Sequence, residues 1–185
     1  MNIGIYGSSS ETKQELKEKA REIGRQIAKR NCTLITGASM GLPHEAVLAT
    51  NELGGKTIGY SPATDIKIHV KRDHYPTNGF SKIIFIPKNY EHAKDPVLSR
   101  MYRIISFVNA IDAAIIIGGR VGTMIEFAMT YHKGKNIGVL EGSGGITNEA
   151  ISSFLKAAES KATGSKVIYD PNPKTLVDRI IEISK

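Results

Sequence analysis

The sequence predicts one α/β domain over residues 1–185, in which a doubly wound, mostly parallel sheet carries helices on both faces. Short runs of β-branched and other apolar residues alternate with longer amphipathic segments, which is typical of βαβ units. The composition, with 41% hydrophobic and 23% charged residues, is that of a globular chain long enough to bury its own core. No repeat, low-complexity tail or linker divides the chain.

The first thirty residues predict a strand followed by a helix. The apolar run Asn2–Tyr6 ends at a turn of glycine and serine, as a buried strand does. In residues 11–30, apolar side chains recur at the helical period; they are Leu16, Ala20, Ile23 and Ile27. Thr12 and Glu15 have the spacing of a capping box at the start of this helix. Its many charged residues are typical of a solvated helix face rather than a nucleic-acid stripe.

The next fifty residues continue the alternation and then lose it. Cys32–Thr36 and Lys56–Tyr60 are predicted strands, and a helix from His44 to Leu53 lies between them. Residues 61–81 contain two prolines, a glycine and mixed charge, and are interpreted as a loop or flap. Within them, the alternating run Ile66–Val70 is interpreted as a short strand.

The remaining residues restore the βα alternation. The predicted strands are Lys82–Ile86, Asp112–Ile117, Asn136–Leu140 and Lys166–Tyr169. The predicted helices span 96–109, beginning at a proline, then 122–132, 147–161 and 173–184.

Charge and composition limit the classes of function. The net charge of +7 favours anionic ligands, of which nucleic acid is one. The single cysteine, Cys32, excludes an intrachain disulfide and lies in an apolar run, so we expect a buried and inert thiol. No apolar run reaches 18 residues and the chain begins in a predicted strand, so we expect no signal peptide, no membrane span and a cytoplasmic location.

Three loops of small residues follow predicted strands: Gly7–Ser10, Gly37–Gly41 and Gly118–Thr123. Each alone is compatible with simple turn chemistry. In doubly wound sheets, however, ligands bind beyond the carboxyl ends of the strands, so three such loops on one edge predict a phosphate or ribose cleft. The candidate phosphate-binding residues are Gly7, Ser8, Ser9, Gly37, Gly41, Gly118, Gly119, Arg120, Gly122 and Thr123. The chain lacks a GxGxxG after its first strand and lacks GxxxxGK[ST], which argues against NAD binding and a P-loop.

The third loop carries the most chemistry. Its glycines allow the backbone to approach a phosphate, and the following helix offers unpaired N–H groups at its N-terminus. Glu126 comes three residues after Thr123 and is thereby placed near whatever the phosphate is attached to. The alternative is a tight turn followed by a glutamate that the helix dipole favours. Arg103, in the preceding helix, approaches the same strand end, whereas Arg100 is interpreted as a surface residue.

This loop and Arg103 resemble the LOG family of cytokinin-activating phosphoribohydrolases, whose members are often mislabelled lysine decarboxylases. That family combines a PGGxGTxxE loop with an arginine on the preceding helix, here Gly118–Glu126 and Arg103. The segments Gly7–Ser9 and Thr36–Leu42 are similar to its other two loops, the second in a degenerate form. The chain departs from the family at Gly118, where the family has proline, and at Arg120, where it has glycine. In the degenerate loop, Ala38 and Ser39 replace glycines.

The resemblance implies a Rossmann-like fold and hydrolysis of the N-glycosidic bond of an AMP-like nucleoside 5′-monophosphate. It implies Glu126 and Arg103 as catalytic residues, with no metal or other cofactor. Glu126 would stabilise an oxocarbenium-like charge, hold ribose hydroxyls or activate water, and Arg103 would orient Glu126 or contact substrate. Arg120 would add a cation at the phosphate or point to solvent.

Other classes remain as alternatives. The strongest is a protein of the same fold that binds or senses a nucleotide without turning it over. A nucleic-acid binder is disfavoured because the lysines are spread over both faces of several helices and few aromatics accompany them. The five histidines show no metal-binding spacing, so no metal is expected; His44 is either a base contact or a helix N-terminal residue. The apolar helix Val97–Val108, together with the resemblance, predicts a homodimer.

Overall fold

The computed structural model describes residues 1–10, 13–158 and 163–185. In these ranges the chain forms seven strands and seven α-helices that alternate, with a 3₁₀ turn at Gly145–Thr147. The strands are β1 Asn2–Gly7, β2 Thr33–Thr36, β3 Thr57–Ser61, β4 Lys82–Phe85, β5 Ala113–Ile117, β6 Asn136–Leu140 and β7 Val167–Asp170. The helices are α1 Gln14–Lys29, α2 Leu42–Glu52, α3 Ile66–Lys71, α4 Pro96–Ala110, α5 Val121–His132, α6 Ala150–Ala157 and α7 Pro173–Ile183.

All strand pairs are parallel, and the sheet order is β4-β3-β2-β1-β5-β6-β7. This order confirms the predicted doubly wound, Rossmann-like fold. Successive strands add outward in one direction from β1 and in the other from β5, and Gly7 pairs with Ile117 where these two strands end. Because the chain leaves β1 and β5 in opposite directions, a crevice opens beyond their carboxyl ends.

Each face of the sheet carries its own core. Side chains of α1, α2 and α7 cover one face, where Ile3, Ile5 and Ile115 are buried. Side chains of α4, α5 and α6 cover the other, where Tyr6 and Ile116 are buried. All five residues of β5 are buried, as its continuous apolar run predicts for a central parallel strand.

The prediction of a strand at Ile66–Val70 is wrong, because these residues lie in helix α3. Short apolar runs fit strand and helix equally, and here the capping residue decides. The Asp65 carboxylate accepts a hydrogen bond of 3.0 Å from the Ile68 N–H and so caps the helix N-terminus. The chain between β3 and β4 is therefore a partly helical segment.

The other boundaries differ from expectation by small amounts. The helix predicted over 147–161 is a 3₁₀ turn followed by α6, which ends at Ala157. The predicted capping residue Thr12 and the predicted helical residues beyond 158 lie outside the described residues. Cys32 is buried, and burial raises the pKa of its thiol. In the described part of the chain, no helix is both long and apolar enough to cross a membrane.

Candidate functional site

A cavity of about 280 Å³ lies at the carboxyl edge of the sheet, above the end of β1. Seven of the predicted phosphate-binding residues line it: Gly7, Ser8, Ser9, Gly37, Arg120, Gly122 and Thr123. Both predicted catalytic residues, Arg103 and Glu126, also line it. The fold thus brings three loops and two helices to one cleft.

Arg103 and Glu126 form a buried ion pair in the wall of this cavity, and each is only 8% exposed. The Arg103 Nη2 donates to Glu126 Oε1 at 3.1 Å, and Nη1 donates to the Gly37 carbonyl at 3.0 Å. A Cβ on Gly37 would lie 2.2 Å from Nη1, so the guanidinium occupies the space that this glycine leaves. The second glycine loop therefore positions Arg103, which in turn positions Glu126.

Burial raises the pKa of Glu126 to about 6, and the adjacent Arg103 guanidinium opposes this rise only in part. No group in the described part of the chain hydrogen-bonds to Oε2, and the side chain lines the cavity. A carboxylate with a pKa near neutrality and a free oxygen facing a cleft can accept or deliver a proton there.

A buried hydrogen-bonded chain fixes the C-terminal half of α5 against β1. The Thr130 hydroxyl donates to the Glu126 carbonyl at 2.7 Å, so the Tyr6 hydroxyl donates to Thr130 Oγ1, also at 2.7 Å. Burial raises the pKa of Tyr6 and keeps the phenol neutral. The Phe107 ring of α4 packs edge-on against Tyr6, with centroids 4.9 Å apart. The two helices that carry Arg103 and Glu126, α4 and α5, are thus both packed against Tyr6 of β1.

The N-terminus of α5 provides a second chemical feature in the cavity. The first hydrogen bond that closes a turn of this helix runs from Met124 N–H to the Arg120 carbonyl, at 2.9 Å. The N–H groups of Gly122 and Thr123 therefore have no intrahelical acceptor, and both residues line the cavity. A Cβ on Gly122 would meet no atom within 4 Å, so a ligand can approach this backbone closely.

Three predicted phosphate-binding residues, Gly41, Gly118 and Gly119, do not line the cavity; they shape the loops that do. All three have positive φ angles. A Cβ on Gly41 would lie 2.2 Å from the Ser8 carbonyl oxygen, so this glycine lets the first two loops touch. The Gly118 N–H donates to Ser143 Oγ at 2.8 Å, which anchors the third loop behind β5. Gly119 lines a smaller, neighbouring cavity of about 220 Å³.

The arginines separate into two groups. Six of the eight in the chain form ion pairs with carboxylates: Arg21, Arg25, Arg30, Arg72, Arg103 and Arg179. Arg100 and Arg120 form none with the described residues, and both line the cavity. Arg120 donates to Ser10 Oγ at 3.1 Å across the first loop, so it lies over the cleft. Arg100 is exposed, as expected from the sequence, and it also lines the cleft.

Tyr75, Met40 and Pro43 also line the cavity, although they were not predicted as site residues from the sequence. Tyr75 belongs to the irregular segment between β3 and β4, where no periodicity marks a functional side chain. His44 is not a cavity residue: its Nε2 lies 3.1 Å from the Asn78 carbonyl, and its ring stacks on Phe80. Among the described residues, no group of three or more His, Cys, Asp or Glu side chains is placed to hold a metal ion.

Fold and site together define a Rossmann-like protein with a cleft that is lined by glycine loops, a helix N-terminus and a buried ion pair. A family model extends this to the level of sequence: residues 1–177 match the SLOG cluster4 family. The chain belongs to that family. The match does not single out the LOG enzymes that the glycine loop resembles.

Known proteins are similar to this chain in sequence or in fold, in each case at low sequence identity. A protein of Archaeoglobus fulgidus is 27% identical over 141 residues, which cover 76% of this chain and 80% of that protein. The solved structure of TM1055 superimposes with a TM-score of 0.74 at 20% identity and 98% coverage of both chains. The molybdenum cofactor carrier protein from Chlamydomonas reinhardtii gives 0.69 at 22% identity, again with 98% coverage of both. DNA processing protein A from Helicobacter pylori, a single-stranded DNA binder, gives 0.68 at 19% identity and covers 99% of this chain and 81% of its own.

Proposed function

We propose that the protein hydrolyses the N-glycosidic bond of a nucleoside 5′-monophosphate, releasing the free base and ribose 5-phosphate. One observation carries this proposal: a buried Arg103–Glu126 pair and the open N-terminus of α5 line the same cavity. The helix N-terminus is suited to the 5′-phosphate, and the carboxylate, one turn further along α5, is suited to the ribose.

The charge of the cavity supports a phosphate monoester as the ligand. Its three arginines and one glutamate sum to +2 when Glu126 is ionised. A phosphate monoester carries a charge of about −1.5 to −2 at neutral pH and would balance this excess. Arg120, which has no carboxylate partner among the described residues, is the cation nearest in sequence to the α5 N-terminus and the one we assign to the phosphate.

In the proposed reaction the C1′–N bond breaks as positive charge develops on the ribose. Water adds its oxygen to C1′, one proton leaves that water, and the departing base takes up a proton at the nitrogen that left. Glu126 Oε2 would stabilise the charge on the ribose or accept the proton from water, because its pKa near 6 leaves it mostly ionised at neutral pH. Arg103 acts through Glu126, since its Nη2 holds Oε1 and keeps Oε2 directed away from the pair.

The principal alternative is that the same cavity binds a phosphorylated ligand and releases it unchanged. Half of the Glu126 carboxylate is already engaged by Arg103, which suits a binding site as well as a catalytic one. The fold shared with a molybdenum cofactor carrier protein is compatible with this alternative. A measurement of turnover distinguishes hydrolysis of the ligand from binding alone.

The decisive experiment is incubation of the protein with AMP, other nucleoside monophosphates and the unphosphorylated nucleosides, with free base measured by chromatography. We expect release from monophosphates only. Glu126→Gln should lower the rate by about 10²–10⁴-fold, the usual contribution of a general acid or base. Glu182→Gln is the matched control, because this exposed glutamate lies on α7, away from the cavity. Binding without release from any nucleotide would favour the non-catalytic alternative.

We also propose that α4 forms a homodimer contact. Ile104 and Val108 of this helix are buried against the sheet, but Val97 and Ile105 are 54% and 49% exposed. A second copy of the chain would cover these side chains. Light scattering should give twice the chain mass, and a monomeric mass at working concentration would rule the dimer out.

A further inference from the structure

The cavity has a second end, opposite the α5 N-terminus. In the sheet, β3 and β4 lie on one side of β1 while β5 lies on the other. Three strand spacings separate β3 from β5, or about 14 Å. Tyr75 follows β3 in the chain, and the next residue, Pro76, is linked through His69 to Ser61 at the end of β3, so Tyr75 lies on the side of the cavity away from α5. Arg100 of α4 also lines the cavity.

Tyr75 is held in place by a buried histidine. The His69 side chain is fully buried, with Nε2 3.0 Å from the Pro76 carbonyl and Nδ1 2.9 Å from Ser61 Oγ. The Tyr75 N–H donates to the His69 carbonyl at 3.1 Å, and the two rings meet edge-on at 5.6 Å. Through His69, these contacts connect Pro76 to Ser61 of β3 and connect Tyr75 to α3. The Tyr75 side chain is thereby held in place where it lines the cavity.

Arg100 adds hydrogen-bond donors to the same cavity. It forms no ion pair with the described residues, unlike Arg103 one turn further along α4. A guanidinium carries five N–H donors and no acceptor, so it recognises a group that presents acceptors. An aromatic ring and a donor fork in one cavity together suit a flat ring with acceptors on its edge.

We infer that Tyr75 and Arg100 form the base subsite, and that this subsite selects a 6-oxopurine over adenine. The inference rests on the proposed function, because it requires the phosphate at the α5 end. A 6-oxopurine presents two adjacent acceptors, O6 and N7, to which arginine binds with two hydrogen bonds. Adenine replaces O6 with an amino group, which is a donor and faces the guanidinium donors unfavourably. Tyr75 stacks on either ring and does not discriminate between them.

Calorimetry on the Glu126→Gln protein tests this inference with ligands that stay intact. The probes are inosine 5′-monophosphate, adenosine 5′-monophosphate and ribose 5-phosphate. We expect the inosine nucleotide to bind about 10-fold more tightly than the adenosine nucleotide, the discrimination typical of a two-bond arginine contact. Adding Arg100→Lys, which keeps the charge but removes the fork, should reduce the ratio to below about 3-fold. Ribose 5-phosphate should bind equally to both proteins.

Two further variants separate the ends of the cavity. Tyr75→Ala should weaken both nucleotides by about 10-fold and leave ribose 5-phosphate unchanged, whereas Tyr75→Phe should retain both affinities. Arg120→Lys should weaken all three ligands together. Equal binding of the two nucleotides, or a preference that survives Arg100→Lys, would overturn the inference while ribose 5-phosphate binding upheld the phosphate site. Failure of ribose 5-phosphate to bind would overturn the phosphate assignment as well.

Discussion

The two ends of the cavity differ in whether backbone groups or side chains line them. At the α5 end the cavity is lined by backbone: Gly122 has no side chain, and the N–H groups of Gly122 and Thr123 have no intrahelical acceptor. Elsewhere the wall includes the side chains of Tyr75, which is held by a buried histidine, and of Arg100. A backbone site recognises a group common to many ligands, whereas a wall of side chains can change with each ligand. This contrast is the reason why we propose phosphate binding at one end and recognition of the base at the other.

The Arg103–Glu126 pair lies between these ends, and breaking it should have the largest effect on stability. Arg103→Ala leaves the Glu126 carboxylate buried without its cation, which should lower the free energy of unfolding by about 3–5 kcal/mol at neutral pH. Arg100→Ala is the matched control, one turn away on the same helix but exposed; we expect a change within about 0.5 kcal/mol. Urea unfolding measures both. Equal effects would show that the pair is not the structural centre of the site.

The pH dependence of stability should report the same pair. Because burial raises the pKa of Glu126 from 4.5 to about 6, the folded state retains a proton that the unfolded chain has already released. The stabilisation that this proton gives the folded state is fully present below the pKa of the unfolded chain, and it is lost as the pH rises through 6. The difference corresponds to about 2 kcal/mol. Unfolding curves of wild type and Glu126→Gln should therefore diverge by this amount between about pH 4 and pH 7. Parallel curves would place the carboxyl pKa near its ordinary value.

A smaller effect should distinguish the backbone end from the side-chain end. Gly122→Ala meets no atom of the protein, so the free energy of unfolding should change by less than about 1 kcal/mol. The added methyl group would occupy the space of an approaching phosphate, and ribose 5-phosphate should bind about 10-fold more weakly, or about 1.4 kcal/mol. Calorimetry tests this, with Tyr75→Ala as the control that leaves ribose 5-phosphate binding unchanged. Normal affinity in Gly122→Ala would move the phosphate away from α5.

The α5 end of the cavity, which is lined by backbone, was the part that the sequence could predict. Glycines after a buried strand, followed by a helix, leave a recognisable order of residues, and the distance along the chain from Arg103 to Glu126 fits two helices that flank one strand. Their side chains indeed meet, at 3.1 Å. The order of strands and helices was predictable for the same reason, since βα alternation is visible in the apolar pattern.

The side-chain end could not be predicted. Residues 61–81 have no regular period, and the run Ile66–Val70 alternates like a strand although the Asp65 cap makes it a helix. The contacts of His69 with Ser61 and Pro76 depend on how this segment folds back, which no local pattern shows. Arg100 is interpretable as a surface arginine until the fold shows which cleft it faces.

A crystal structure of the Glu126→Gln variant with inosine 5′-monophosphate would show which end of the cavity binds the phosphate and which the base. We expect the phosphate within hydrogen-bonding distance of the Gly122 and Thr123 N–H groups, with the ribose beside residue 126. The purine should lie against Tyr75, its O6 and N7 facing Arg100. A phosphate bound at the Tyr75 end, or a nucleotide outside this cavity, would contradict the assignment of the two ends.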